Sequence, residues 1–305
     1  MMSSSDASAV EAALRVVRSH PDDLPVIVGP TASGKTALAV ALAERLDGEV
    51  ISADSVQIYR YFDIGSGKPT REQLATAPHH LVSEIDPMDA IDAVSWADRA
   101  ARTIGEVRAR GRVPIVCGGT FLWVKALVYG LADVPAASAK IRAVHRGIAD
   151  LEGRAALHAR LRTVDPESAG RLHPNDFVRV SRALEVCELT GKPMSIWQQE
   201  HQFKLQRRRA RLLSLASDAA TSTARIEVRV STWLAGGWID EVEALLARGF
   251  ENARAMGSVG YAQVRAMLEG TISPAELGPA IVRATRVFAR RQRTWLNHAD
   301  VAWLS

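Results

Sequence analysis

Apolar and polar positions alternate along this chain with two different periods. Short apolar runs at residues 25–28, 113–117 and 212–216, with a half-polar run at 49–53, have the length and composition of buried strands. Elsewhere apolar residues recur every three or four positions, the helical period. Residues 37–46 are an almost unbroken run of helix formers, and Gly48 fits the left-handed residue that closes a helix. Residues 95–110 place Trp96, Ala100, Ile104 and Val107 on one face, and Gly111 ends the stretch. Strand, helix and strand in this order predict a parallel sheet covered by helices. From about residue 131 strands disappear: 137–151, 154–163 and 175–189 read as helices, broken at Gly153, Asp165–Pro166 and Gly191. Helices are expected again at 225–234, 238–247 and, as one long element, 279–297.

The junction of the first strand with the first helix carries the clearest chemistry. Gly29, Pro30, Thr31, Ala32, Ser33, Gly34, Lys35 and Thr36 match the G-x-x-x-x-G-K-[ST] spacing of a phosphate-binding loop. Glycine lets such a loop turn its N–H groups inward, and the following helix adds its positive end. Lys35 is placed to reach the outermost phosphate and Thr36 to hold Mg²⁺. The expected fold class is therefore α/β, a P-loop NTPase-like parallel sheet with helices on both faces plus an inserted all-helical subdomain. Its parts are a flexible lead at 1–22, a core at 23–130 and 205–305, and a helical insert at 131–204.

Ligands of such sheets lie at the carboxyl ends of the strands, so Asp54, ending the second strand, shares the crevice with the loop. An acid there is a metal ligand, a base, or the cap of the following turn. Lys68, in the glycine-rich loop 63–69, is a candidate phosphate neighbour. His79 and His80 point to opposite sides of an extended segment, which favours structural hydrogen bonds over a shared metal. The strand 113–117 runs into Gly118, Gly119 and Thr120, where phosphoryl-transfer enzymes of this architecture commonly carry an aspartate. The two glycines permit close backbone approach and Thr120 offers a hydroxyl.

Composition changes the picture little. The 305 residues are 47% hydrophobic and 24% charged, ordinary for a globular protein. No signal-peptide core or membrane-length apolar run is present, and Cys117 and Cys187 sit in apolar segments, so a reduced, cytoplasmic protein is expected. The net charge of +4 comes from arginines concentrated in the second half. Arg283, Arg286, Arg290 and Arg293, spaced three, four and three apart, make one basic stripe on the last helix, and a second basic cluster, KLQRRRAR, spans 204–211. A stripe without interleaved acids suits a polyanion.

Taken together, GPTASGKT (29–36), ISADSVQIY (51–59), DIGSGKP (63–69), PHHL (78–81), GGTFLWVKAL (118–127), HPNDFVRVSRALEV (173–186), VGY (259–261) and RRQRTWL (290–296) resemble, in order and over nearly the whole chain, the bacterial tRNA dimethylallyltransferases, also called tRNA isopentenyltransferases. The resemblance implies transfer of a dimethylallyl group from dimethylallyl diphosphate to N6 of the adenine next to the anticodon (position 37) of tRNAs reading codons that begin with U. It also implies a monomer with no membrane partner. The loop 29–36 would then hold a leaving group, with Lys35, Thr36 and Mg²⁺ neutralising its charge. Asp54 becomes the base for the exocyclic amine and Thr120 a donor to the diphosphate.

Carried over by position, the resemblance assigns tRNA contacts to Asp54, Ser55, Val56, Gln57 and Thr120. In the insert it assigns Arg142, Val178, Arg179, Val180, Ser181 and Arg182. Nearer the C-terminus it assigns Gly257, Gly260, Tyr261, Arg286, Arg290, Arg291 and Arg293. Val56, Val178, Ala262 and Asn297 stand where family members commonly have polar or basic residues, and Phe121 and Trp123 where they commonly have smaller or tyrosyl ones. Two other readings are a small-metabolite or nucleoside kinase, which shares the loop, and a catalytically inactive RNA-binding relative.

Overall fold

The computed structural model describes residues 4–203, 205–216 and 218–304. Lys204, which opens the expected basic cluster, lies outside them. The chain divides into two compact units, one of residues up to 128 together with those from 206 onward, the other of residues 129–205.

The first unit contains strands β1 (Leu24–Val28), β2 (Gly48–Ser52), β3 (His79–His80), β4 (Val113–Gly118), β5 (Ala210–Leu215) and β6 (Ala302–Leu304). They form one parallel sheet in the order β3–β2–β4–β1–β5–β6. All five residues of β1 are buried, as are all five of β2. Such strands read as unbroken apolar runs because both sheet faces are covered. The exception inside β2 is Glu49, whose side chain is 3% exposed and is balanced by Arg110, Arg112 and His80. His80 and His79 thus have structural partners, Glu49 for the first and the Ala77 carbonyl for the second.

Helices α1 (Ser4–Ser19), α2 (Lys35–Leu46), α3 (Arg71–Thr76), α4 (Ala93–Ala109) and α5 (Phe121–Tyr129) belong to the first half. The expected flexible lead is corrected by α1. Its Ala9, Val10, Ala13, Leu14 and Val17, spaced at three and four, are buried against Leu38, Ala39 and Leu42 of α2 and Ile27, Ile115 and Leu213 of the sheet. A short helix over 7–18 was legible in the sequence; its burial was not.

The second unit holds α6 (Ala139–Leu151), α7 (Arg154–Val164), α8 (Pro166–Arg171), α9 (Phe177–Thr190) and α10 (Met194–His201). Leu157, Leu161, Ala169, Val180, Ala183 and Leu184 form its core. Two buried polar groups pin it. Asp165 caps α8 by accepting from Ser168 N and also accepts from Ser195 N at 3.0 Å, tying α10 to α8. His145, 2% exposed, lies between Ser181 Oγ (2.9 Å) and Glu188 Oε1 (3.0 Å), tying α6 to α9.

The chain returns through β5 to α11 (Ala219–Ala235), α12 (Trp238–Ala247), a 3₁₀ turn (Arg254–Gly257), α13 (Tyr261–Leu268) and α14 (Pro274–Leu296). The last helix starts five residues earlier than expected. Ser273 and Glu276 form a capping box, with Pro274 in the first turn, so Pro279 lies inside the helix instead of opening it. β6 adds a short edge strand to a tail expected to be helical throughout; three residues carry too little pattern to be read. No described helix is long and apolar enough to cross a membrane.

Candidate active site

Three strand ends converge at one edge of the sheet. Val28 of β1 pairs with Gly118 of β4, and Ser52 of β2 pairs with Cys117. Beyond them Ala53 N donates to Cys117 O (2.8 Å) and Thr120 N to Ala53 O (3.1 Å). Gly118 has to be glycine here, since a Cβ would lie 2.1 Å from the Ala53 carbonyl. The loops leaving β1, β2 and β4 are thereby locked in one plane of approach.

They line a cavity of about 560 Å³. Its polar end is the phosphate loop, whose concavity comes from left-handed backbone at Ala32 (φ 63°) and Gly34 (φ 91°). Lys35 Nζ folds back toward Pro30 O at 3.4 Å. Burial lowers the pKa of this amine, while nearby Asp54 opposes the shift and Arg229 adds to it. Cys117 beneath the loop is a neutral thiol, pushed up to about 12 by burial.

Asp54 sits across the cavity. Its Oδ1 accepts from Val56 N (2.9 Å) and Gln57 N (3.2 Å), while no hydrogen bond among the described residues engages Oδ2. Cap and base are therefore not alternatives: one oxygen shapes the turn and the other is left to the cavity. Thr120 Oγ1 accepts from Ser55 N (3.0 Å) and lies 3.3 Å from Ser55 Oγ, which fixes its position relative to Asp54. The far walls are apolar. Ile226, Val230 and Trp233 of α11, Trp238 of α12, and Ile281 and Phe288 of α14 line them. Arg229 of α11 also faces the cavity, its guanidinium 5.3 Å from the Trp233 ring centre. Burial lowers its pKa, yet arginine remains charged at physiological pH. The cavity thus combines a loop with the cations Lys35 and Arg229, apolar side chains of α11, α12 and α14, and one carboxylate.

Residues 57–299 match the family model described as IPP transferase. The chain belongs to this family. The tRNA dimethylallyltransferase of Sorangium cellulosum (strain So ce56) is 62% identical over 285 residues, covering 93% of this chain and 91% of that one. The same-named protein of Myxococcus xanthus (strain DK1622) is 46% identical over 274 residues, 90% and 89% of the two chains. Among solved structures, the full-length tRNA isopentenylpyrophosphate transferase of Bacillus halodurans superposes with a TM-score of 0.67 at 35% identity, covering 93% of this chain and 89% of that one. A eukaryotic dimethylallyltransferase acting on tRNA gives 0.74 at 25% identity, covering 93% and 73%.

Several residues assigned to the site by sequence occupy other roles in this IPP transferase. Lys68, 9% exposed at its side chain, lines the cavity with the loop and donates to Tyr59 O and Asp63 Oδ1 at 2.6 Å each, so its amine is held in place by the loop 63–69. Gln57 is spent internally. It accepts from Ser52 Oγ (3.0 Å) and donates to Ser66 O (3.2 Å) and Gly67 O (2.8 Å), holding the loop 63–69 against the Asp54 turn. Tyr261 is wholly buried and donates to Glu241 Oε1 (2.6 Å), whose other oxygen accepts from Asp63 N (3.0 Å) and Ile64 N (2.7 Å). Its side chain is core, not RNA-facing. Gly260 packs on Trp238, where a Cβ would meet the ring at 2.1 Å. Gly257, Ser258 and Val259 remain at the cavity, as do Ser55, Val56 and Gln57.

On α14, Arg283, Arg286, Arg290 and Arg291 are exposed, whereas Arg293 turns inward and its Nη1 is buried without a partner among the described residues. Three members of the expected four-arginine stripe are therefore surface charges. In the second unit Val178 and Arg179 are exposed at 71% and 74%. Val180 and Ser181 are buried, which corrects their assignment as contacts. Arg142 and Arg182 both bind Glu185, whose side chain is fully buried, and Arg182 Nη2 also donates to Pro135 O (2.6 Å). Arg209 and Arg211 of the expected basic cluster pair with Asp23, at the amino ends of β1 and β5, away from the cavity.

Sequence reasoning missed Arg229, Trp233 and Trp238; Gln292 stood within the motif RRQRTWL, but the partners of its amide were not legible. The stretch 225–234 read as a helix, but nothing in it said what it faces. Only folding brings α11 and α14 over a loop roughly two hundred residues earlier in the chain.

Proposed function

We propose that this chain transfers a dimethylallyl group from dimethylallyl diphosphate to N6 of the adenine next to the anticodon of tRNA. The observation that carries this reading is the cavity's make-up: the loop 29–36, apolar side chains and the Asp54 carboxylate all line it. An alkyl diphosphate needs the first two, and an adenine N6 needs the base. The allylic chain would lie against Trp233, Trp238 and Ile281, and the diphosphate on the loop 29–36 with Lys35 and Arg229. Bond formation between N6 and the allylic C1 breaks the C1–O bond. The diphosphate leaves with that electron pair, and the N6 proton passes to Asp54. A positioned carboxylate accelerates such a step about 10²–10⁴-fold. Thr120 would donate to a diphosphate oxygen by turning its hydroxyl away from Ser55.

Mg²⁺ fits as an ion carried by the substrate. No cluster of three His, Cys, Asp or Glu side chains among the described residues could hold one. Thr36 would supply a hydroxyl, and diphosphate oxygens and water the rest, the usual habit of Mg²⁺ at phosphates. Bound there, it neutralises leaving-group charge. The tRNA would lie on Arg286, Arg290 and Arg291, with Val178 and Arg179 of the helical insert as further contacts. We read the protein as a cytoplasmic monomer.

The test is mass spectrometry of tRNA nucleosides after incubating the protein with dimethylallyl diphosphate and undermodified tRNA. Isopentenyladenosine is the expected product. Its absence, with label instead transferred from ATP to a small acceptor, would replace this reading with a kinase.

A further inference from the structure

We propose that Gln292 is a positioning residue, whose side-chain amide ties the phosphate loop to the Gly118–Thr120 turn and so sets the shape of the diphosphate cradle. This rests on the diphosphate reading above. Gln292 lies on the inward face of α14, flanked in sequence by arginines, yet it is only 5% exposed. Its Oε1 accepts from Thr31 N at 2.8 Å, and its Nε2 donates to Gly119 O at 3.0 Å. These two partners fix which end of the amide is which. One needs an acceptor, the other a donor, and a primary amide supplies both on a single planar group.

The fit is close on the other side too. A Cβ on Gly119 would lie 2.5 Å from Gln292 Nε2, so the glycine leaves the space that the amide fills. From Gly119 the connection runs on to the candidate base. Thr120 N donates to Ala53 O, Ser55 N donates to Thr120 Oγ1, and Asp54 Oδ1 caps the same turn. One side chain from the last helix therefore holds the loops that leave β1 and β4, and through Thr120 the loop that leaves β2. It also consumes the Thr31 N–H, as Pro30 O consumes that of Ser33.

Gln292 lines the cavity, but both atoms of its amide are engaged by Thr31 N and Gly119 O, so in this proposal it acts through them. That separates it from its neighbours Arg290 and Arg291, whose side chains are exposed.

Two substitutions test this. Gln292→Met keeps the length and loses both hydrogen bonds. Gln292→Glu keeps the acceptor for Thr31 N but, ionised, sets a negative oxygen against Gly119 O. Full kinetics against both substrates should show a rise of about tenfold or more in KM for dimethylallyl diphosphate and a fall in kcat in Gln292→Met. KM for tRNA should stay within twofold. Inorganic pyrophosphate binding by Gln292→Glu, measured by calorimetry and divided by the wild-type value at each pH, should recover as pH falls from about 8 to 5. The protonated carboxyl then donates to Gly119 O again.

A diphosphate KM within twofold of wild type in Gln292→Met would overturn the proposal, as would a change confined to KM for tRNA. Should Gln292→Met fail to fold, Gln292→Glu decides, and a flat pH ratio refutes the role. If the wild type makes no isopentenyladenosine while pyrophosphate binding still weakens in the variants, the positioning role stands and the transferase reading fails.

Discussion

Asp54→Asn separates the two jobs that Asp54 performs. The asparagine keeps an oxygen where Oδ1 accepts from Val56 N (2.9 Å) and Gln57 N (3.2 Å), so the turn survives. What is lost is the capacity of the other oxygen to take a proton. A general base is worth about 10²–10⁴-fold in rate, or about 3–5 kcal/mol of barrier. Asp54→Ala removes the cap as well, which costs about 1 kcal/mol of stability. Three measurements discriminate. Single-turnover transfer of labelled dimethylallyl groups to undermodified tRNA should fall by about two to four orders of magnitude in both variants. Pyrophosphate binding should be unchanged or slightly stronger in Asp54→Asn, since a negative charge facing the phosphate site has been removed. Thermal unfolding should shift in Asp54→Ala and hardly at all in Asp54→Asn. An Asp54→Asn protein that retains more than a tenth of the wild-type single-turnover rate refutes the reasoning, because no geometric loss accompanies that change.

The remaining predictions concern charge. Arg229→Met should weaken pyrophosphate binding about 10- to 100-fold, the worth of one charge-assisted hydrogen bond, and leave tRNA affinity intact in a filter-binding assay. Arg286→Glu with Arg290→Glu should lower tRNA affinity and reduce the slope of log K against log salt by about 1 to 2; an unchanged slope would make that face an ordinary solvated one. Burial pushes the Glu185 carboxyl up, but Arg182, Arg142 and Ser138 N outweigh it and hold its pKa below the ordinary 4.5. Its ion pairs therefore stabilise fully above that value and are lost as pH falls through the depressed folded pKa. Glu185→Gln should cost about 2 kcal/mol at neutral pH, less than a fully buried pair because both arginines are partly solvated. It should also flatten the acid dependence of helicity below pH 4.5, measured by circular dichroism.

The phosphate loop, the parallel sheet and Asp54 were legible in the sequence for one reason. Each depends on residues close together in the chain: a strand, four loop positions and a helix, or a strand and the residue that ends it. Gly118 and Gly34 were legible as glycines whose place the backbone dictates. The helix at 175–189 was legible too, but the resemblance placed Val180 at an RNA contact while the packing of α9 placed it in a core.

Local pattern does not record partners. Lys68, Arg142, Arg182, Arg209 and Arg211 are indistinguishable in sequence from solvent-facing cations. Each is committed to an acid, and Asp23 lies nearly two hundred residues from the arginines it binds. The opposite holds for Arg229, Trp233 and Trp238. Nothing adjacent to them in the chain marks them, and they become part of the cavity only when α11, α12 and α14 close over the edge of the sheet. The chain's local pattern thus determined the loop between the first strand and helix and the carboxylate that ends the second strand. Tertiary packing decided which cations remain free, what fills the apolar end, and that a glutamine on the last helix braces the first loop. Local geometry follows from backbone conformation within a few residues; the rest follows from contacts whose cost in chain entropy only the whole fold repays.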